Sequence, residues 1–265
     1  MDNTDFPHGI PPSNSPNIVD IVLPLWYNGL VKGGGFMKIY FVRHGHPDYK
    51  NDCLTELGHK QAQAAAKRLA GSKIAEVYSS TKGRAMETAE YTAKQFGLKV
   101  VPCDFIREIG WKSIDGEPIP ENGHPWRIAD LWVSEGKSLN DEDWQTKEPY
   151  SKSVVVDYDK SVSAGIDGWL EELGYKREGE YYRVVGENTN KNVAIFSHGG
   201  SSSVALAHML NIPLPQFFGA FRLGFTAITV IKLPDTVGEL CYPQLRLFND
   251  VAHIDGLNAE NVFDN

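Results

Sequence analysis

Met37-Lys38-Ile39-Tyr40-Phe41-Val42 is an apolar run interrupted only by Lys38, and Asn192-Val193-Ala194-Ile195-Phe196 is a second run of the same kind. Their length and their β-branched and aromatic content fit strands buried on both faces. Between them the period of apolar positions changes to that of a helix. Ala62, Ala65, Ala66 and Leu69 mark the buried face of a helix from about Thr55 to Leu69, with Gly71 as its stop. Glu76-Val77-Tyr78-Ser79 reads as a short strand, and a helix over about 83–96 follows, with Ala85, Ala89, Thr92 and Phe96 on one face and Gly97 at its end. Lys99-Val100-Val101 is a third strand.

Further on, Val162, Ile166, Trp169 and Leu173 form one stripe of a helix over about 157–173, ended by Gly174. Glu180 to Val185 reads as an edge strand, and a helix runs from about Gly200 to Leu210. Residues 225–233 and 243–248 suggest two late strands, an antiparallel pair. Strands alternating with helices of this length predict a three-layer α/β/α fold around a mostly parallel sheet. The stretch from about 112 to 153 breaks the rhythm: Trp126, Trp132 and Trp144, with Trp111 just before it, stand among many charges, as in a capping insertion. Its tryptophans either shape a pocket for part of a ligand or form the cap's own core, the commoner use of Trp. Residues 1–36, rich in Pro, Asn and Gly and ending near Gly33-Gly34-Gly35, are set apart from a domain over 37–265, either as an extension ahead of a start at Met37 or as a docked arm.

Composition narrows the partners. A formal net charge of −8 over 265 residues argues against nucleic acid and anionic membranes, both of which need a basic surface. The apolar stretch Ile18–Trp26 carries Asp20 and Pro24 and is too short to span a bilayer. It does not resemble a secretion signal, since the first basic residue, Lys32, lies beyond it. Three cysteines, Cys53, Cys103 and Cys241, without a CxxC pair point to free thiols in a reducing cytoplasm and away from a zinc site. A homodimer stays open.

The chemistry sits where strands end. Arg43-His44-Gly45 follows the first apolar run and Ser197-His198-Gly199-Gly200 follows the later one. Ligands bind outside the carboxyl ends of parallel strands, so the two histidines can meet in one crevice. His44 offers a neutral ring nitrogen as nucleophile near pH 7, Arg43 can hold a phosphate through two parallel N–H bonds, and Gly45 permits close backbone approach. Arg84, in Ser79-Ser80-Thr81-Lys82-Gly83-Arg84, lies in the first turn of a helix aimed at the same crevice. The glycines after His198 open a helix whose N–H groups suit an anion. Each residue also has a plainer role: His44 as an incidental turn residue, Arg84 on the surface, His198 capping a loop. His8, His59, His124, His208 and His253 show no ligand-like spacing, and Lys82, Lys112 and Arg222 read as solvated charges.

Together these residues resemble the histidine phosphatase, or phosphoglycerate mutase-like, superfamily. The resemblance runs from Met37 to about Leu233 and rests on four places in order: Arg43-His44-Gly45, Leu54-Thr55-Glu56-Leu57-Gly58 with Gln61-Ala62, Ser79-Ser80 through Arg84-Ala85 to Thr88-Ala89, and Ser197-His198-Gly199-Gly200. It implies that His44 attacks phosphorus and that Arg43, Arg84 and His198 bind the phosphoryl oxygens, without metal or cofactor. It also implies that Glu108, in Phe105-Ile106-Arg107-Glu108-Ile109-Gly110, is the general acid; an ion pair with Arg107 or a helix cap is its plainer role, and Asp104 and Asp115 are the lesser candidates. Gly45, Asn51 and Gly199 complete the expected substrate contacts, Asn51 at a displaced spacing and His46 at the rim. The implied activity is hydrolysis of a small-molecule phosphate ester through phosphohistidine. A phosphoglycerate mutase-type transfer and a non-catalytic phosphate-ester binding protein are the alternatives. The segment around Glu108 lacks the Glu-Arg-His-Tyr run of cofactor-dependent mutases.

Overall fold

The computed structural model describes residues 35–187 and 189–257. The expected extension or arm over 1–36 therefore lies outside the described residues except for Gly35 and Phe36, and Phe36 already pairs with Pro234 in the first strand.

The chain order is β1 (Phe36–Arg43), two short strands β2 (Pro47–Asp48) and β3 (Cys53–Leu54), α1 (Glu56–Leu69), β4 (Ile74–Ser80), α2 (Gly83–Phe96) and β5 (Val100–Cys103). The insertion holds α3 (Pro125–Ser134) and several single helical turns. Then come α4 (Val155–Glu172), β6 (Tyr175–Glu178), β7 (Tyr181–Val184), β8 (Asn192–Ser197), α5 (Gly199–Leu210), α6 (Leu214–Ala220), β9 (Ile228–Pro234), β10 (Leu240–Cys241) and β11 (Gln244–Asp250). The main sheet has the order β11-β9-β1-β8-β4-β5. β1, β8, β4 and β5 are mutually parallel, whereas β9 runs antiparallel to β1 and β11 antiparallel to β9.

Both faces of the central strands are covered, which explains their unbroken apolar runs. Tyr40, Val42, Ala194 and Phe196 pack with Leu69, Ala89 and Ala93 of α1 and α2 on one face. Met37, Ile39, Phe41, Val193 and Ile195 join Ile166, Trp169, Leu206 and Phe217 on the other. Thr55 starts α1 by accepting a hydrogen bond from the Gly58 amide, as an N-cap does. Gly97 ends α2 at a φ of +68°.

One expectation is corrected. The segment around 180–185 is not an edge of the main sheet: Tyr181–Val184 pairs with β6 and β10 in a separate three-stranded sheet. Residues 214–220, to which the apolar pattern assigns no element, form α6, whose Phe217 and Phe218 complete the core. In the insertion Trp132 and Trp144 flank Tyr150, each at 5.1 Å between ring centroids, and the Tyr150 hydroxyl donates to the Pro125 carbonyl at 3.0 Å. These two tryptophans are thus the cap's own core. Among the described residues no helix is long and apolar enough to cross a membrane.

Candidate active site

β1, β8 and β4 are neighbours that end together, so His44, His198 and Ser80 stand side by side at the carboxyl edge of the sheet. The His44 amide donates to the Ser197 carbonyl at 2.9 Å and its carbonyl accepts from the Thr226 amide at 3.2 Å. Its ring is oriented by the next residue: Nδ1 lies 2.7 Å from the Gly45 carbonyl oxygen. A carbonyl can only accept, so Nδ1 carries the proton and the lone pair is on Nε2. Burial, followed by the charges of Arg43 and Arg84, holds the His44 pKa well below its ordinary value and keeps that lone pair unprotonated.

The ring of His198 meets His44 edge-on, with centroids 5.1 Å apart. Its Nε2 lies 2.8 Å from the Ser80 hydroxyl, which also accepts from the Lys82 amide at 3.3 Å. Nδ1 of His198 is buried without a hydrogen-bond partner. Burial and the adjacent His44 also depress the pKa of His198.

Two guanidiniums close over the histidines. Arg43 is buried, donates through Nη1 to the Leu223 carbonyl at 2.6 Å and lies 4.2 Å from the centre of the Phe225 ring. Arg84 donates through Nε to His44 Nε2 at 3.3 Å and through Nη1 to Asp52 Oδ1 at 2.5 Å. The other oxygen of Asp52 accepts from the Gly83 amide at 3.1 Å, so one carboxylate ties the start of α2 to its arginine. Asp52 adopts a φ of +52°, and a Cβ on Gly83 would come within 2.1 Å of its carbonyl oxygen.

Glu108 reaches the crevice from the loop after β5. Its Oε1 accepts from the amides of Ile109, Gly200 and Ser201 at 3.1, 3.1 and 3.2 Å. The first turn of α5 is therefore occupied by the protein's own carboxyl group. Burial outweighs these bonds and the nearby arginines, and the Glu108 pKa lies above its ordinary value. With Oε1 occupied, the second oxygen is the one left to carry a proton. His44, Glu108 and His198 each offer a ligand atom within 4.8 Å of the others, a constellation with the reach to hold a metal ion. The two guanidiniums beside it oppose a cation and favour an anion.

The structure thus brings Arg43, His44, Arg84, Glu108 and His198 together. It does not bring Gly45 or Asn51 to a substrate. Gly45 is pressed against α1, where a Cβ would lie 2.7 Å from the Gly58 carbonyl oxygen, and its amide donates to Thr88 Oγ1. Asn51 is exposed and bound to Asp48 within one tight turn, Nδ2 donating at 2.7 Å. The following residue, Asp52, is the one turned inward. Arg107 pairs with Asp104 at 3.4 Å, leaving Glu108 to the crevice, and Asp115 is bound to Ser113 and Glu117 within its own loop.

A cavity of about 610 Å³ opens above the cluster. Arg43, Glu108 and Gly199 line it, with His46, Pro47, Tyr49 and Phe225 along one side and Trp111, His124 and Trp126 from the insertion along the other. His46 is on this wall, and so is His124, which the sequence places in the capping insertion but without ligand-like spacing. Ser80, Asp52 and Tyr49 were also without a role in the sequence.

Strand-end histidines, buried arginines and a carboxyl group of raised pKa define an anion-accepting crevice in an α/β protein. Residues 39–151 match the model of the histidine phosphatase superfamily (branch 1), the family that the sequence resembles. The chain is 28% identical over 151 residues to the probable phosphoglycerate mutase GpmB of Yersinia pestis (strain Pestoides F), covering 52% of this chain and 70% of the relative. Similar solved structures include mycobacterial hydrolase 2, with a TM-score of 0.58 at 23% identity over 81% of this chain and 91% of the other. Another is the phosphoserine phosphatase of Entamoeba histolytica in complex with 3-phosphoglyceric acid, with a TM-score of 0.54 at 22% identity over 82% and 99%. A third is a mycobacterial glucosyl-3-phosphoglycerate phosphatase, with a TM-score of 0.56 at 21% identity over 81% and 99%. At these identities the three structures speak to the fold.

Proposed function

We propose that the protein is a metal-independent phosphomonoesterase that works through a phosphohistidine at His44. The observation that carries this is the bond between His44 Nδ1 and the Gly45 carbonyl, which leaves Nε2 as a neutral nucleophile among two arginines and a second histidine. The lone pair of Nε2 attacks phosphorus and the bond from phosphorus to the ester oxygen breaks. Arg43, Arg84 and His198 take up the charge on the equatorial oxygens, Arg84 by turning its Nε–H from His44 to the phosphoryl group. Glu108 gives its proton to the departing oxygen. In the second half, the Glu108 carboxylate takes a proton from water, the hydroxide attacks phosphorus, and the N–P bond breaks to return neutral His44 and inorganic phosphate.

The experiment is release of inorganic phosphate from p-nitrophenyl phosphate with a chelator present, together with rapid-quench labelling. An acid-labile phosphoenzyme that His44→Ala abolishes is expected; turnover without such an adduct would overturn the proposal. The Yersinia relatives favour a second reading, phosphoryl transfer between positions of phosphoglycerate by the same residues. Isomerisation of 3-phosphoglycerate with a bisphosphate primer tests it.

A further inference from the structure

The wall of the cavity above the cluster is aromatic and, apart from Arg43 and Glu108, holds no Lys, Arg, Asp or Glu among the described residues; His46 and His124 are its imidazoles. Trp111, His124 and Trp126 form one continuous side: His124 lies 5.1 Å from Trp111 and 5.2 Å from Trp126 between ring centroids, and the two indoles meet edge-on at 6.3 Å. Trp126 is fixed from behind by Phe218 at 4.7 Å. Tyr49 and Phe225 face them. Tyr49 stands at the mouth with 66% of its surface exposed, and the Arg84 guanidinium lies 5.4 Å from its ring centre.

The charges are accounted for. Among the described residues Arg43 is the only Lys or Arg on the lining, and it belongs to the phosphoryl site. Behind His124, Arg127 pairs with Glu121 and Arg222 with Asp130, each at 3.7 Å. A leaving group with a carboxylate or second phosphate would find no cation on this wall, and desolvating it unpaired is costly. Burial and the neighbouring Arg127 and Arg222 also hold the pKa of His124 below its ordinary value, so this ring presents no charge near neutrality. Its Nδ1 is buried without a partner. A volume of about 610 Å³ suits a ring-bearing group better than a three-carbon acid.

We infer that the leaving group is an uncharged alcohol bearing a flat ring, seated between Tyr49 and Trp111, so that the substrate is a ring-bearing monoester rather than an acidic one. This rests on the phosphomonoesterase reading above. An anionic leaving group would instead be drawn to the cleft on the other side of Glu108, where Lys82 stands and Arg107 is paired with Asp104.

The test compares four alkyl monoesters on the full-length protein, so that leaving-group acidity is similar: 2-phenylethyl phosphate, propyl phosphate, 3-phosphoglycerate and phosphocholine. The expected kcat/KM for 2-phenylethyl phosphate exceeds each of the others by about tenfold or more. Trp111→Ala and Tyr49→Ala should each erase most of that preference through KM, and Trp111→Phe should restore it. Faster turnover of 3-phosphoglycerate or phosphocholine overturns the inference and leaves the phosphomonoesterase reading standing. Calorimetric titration of the same four compounds into His44→Ala protein decides without turnover. If none is hydrolysed, the reading of the activity fails, and 2-phenylethyl phosphate binding no tighter than 3-phosphoglycerate sinks the proposed pocket as well.

Discussion

Nε of Arg84 points at Nε2 of His44 across 3.3 Å, and its Nη1 is held by Asp52. The arginine is thus gripped at one end and engaged with the nucleophile at the other, with its side chain almost wholly buried. Since Asp52 also caps Gly83, at the first residue of α2, it sets both the arginine and the helix that carries it. Asp52→Ala is expected to lower kcat/KM by about tenfold to a hundredfold, the scale of a misplacement of about 1 Å. A parallel collapse of the unfolding midpoint would assign the effect to α2; an unchanged midpoint with reduced kcat/KM identifies Asp52 as a positioning residue.

Two buried guanidiniums beside two neutral imidazoles form a site short of negative charge. Inorganic phosphate or orthovanadate, binding the folded state alone, should stabilise it by about 2.7 kcal/mol at a hundred times its Kd. For a domain of this size that is a rise of about 5 °C or more in Tm. Thermal melts with and without the anion check this, and Arg84→Ala should remove most of the rise. A shift equal in the wild type and in Arg84→Ala would place the anion elsewhere.

Much of this architecture is legible in the sequence because the central strands carry their own signal. Met37–Val42 and Asn192–Phe196 are buried on both sides and therefore apolar at nearly every position, and the glycines after α2 and α4 mark their ends. The residues at the strand ends follow from the topology alone. What could not be read are relations between distant segments. Tyr181–Val184 looks like any edge strand, and only its pairing with Tyr175–Glu178 shows it in a second sheet. Prolines at 213 and 215 disguised a short helix. Asn51 and Asp52 are adjacent polar residues in a turn, and the positive φ that sends one outward and the other to Arg84 has no sequence signature. The placement of Glu108 on the Gly200 and Ser201 amides depends on a contact across more than ninety residues.

The pKa directions at the site set the sign of its pH dependence. His44 must be neutral to attack, and its depressed pKa moves the loss of activity by protonation well into acid. Glu108 must be protonated to assist departure, and its raised pKa extends that protonated range upward. For an alkyl phosphate, kcat/KM should therefore be highest above the His44 titration and fall as pH rises through the Glu108 titration. p-Nitrophenyl phosphate, whose departing oxygen needs little protonation, should show a weaker alkaline fall. Glu108→Gln should slow alkyl phosphates far more than p-nitrophenyl phosphate; equal losses on both would remove Glu108 from the acid role.

Gly200 offers an independent route to the same proton. A Cβ there would lie 2.5 Å from Ile109 Cγ1 and 2.7 Å from Glu108 Oε1, so Gly200→Ala cannot be accommodated without moving the carboxyl group or the start of α5. Because Oε1 holds three amide bonds, its displacement breaks the restraint that aims the other oxygen at the leaving group. The nucleophile, on β1, is tied to Gly45 and Ser197 and does not depend on that restraint. The expected phenotype is a copy of Glu108→Gln, a loss of about tenfold or more on alkyl phosphates with a small one on p-nitrophenyl phosphate. A double variant should be little worse than either single one, since both remove one function. Additive losses in that cycle would mean that Gly200 acts on the site through α5 and not through the carboxyl group.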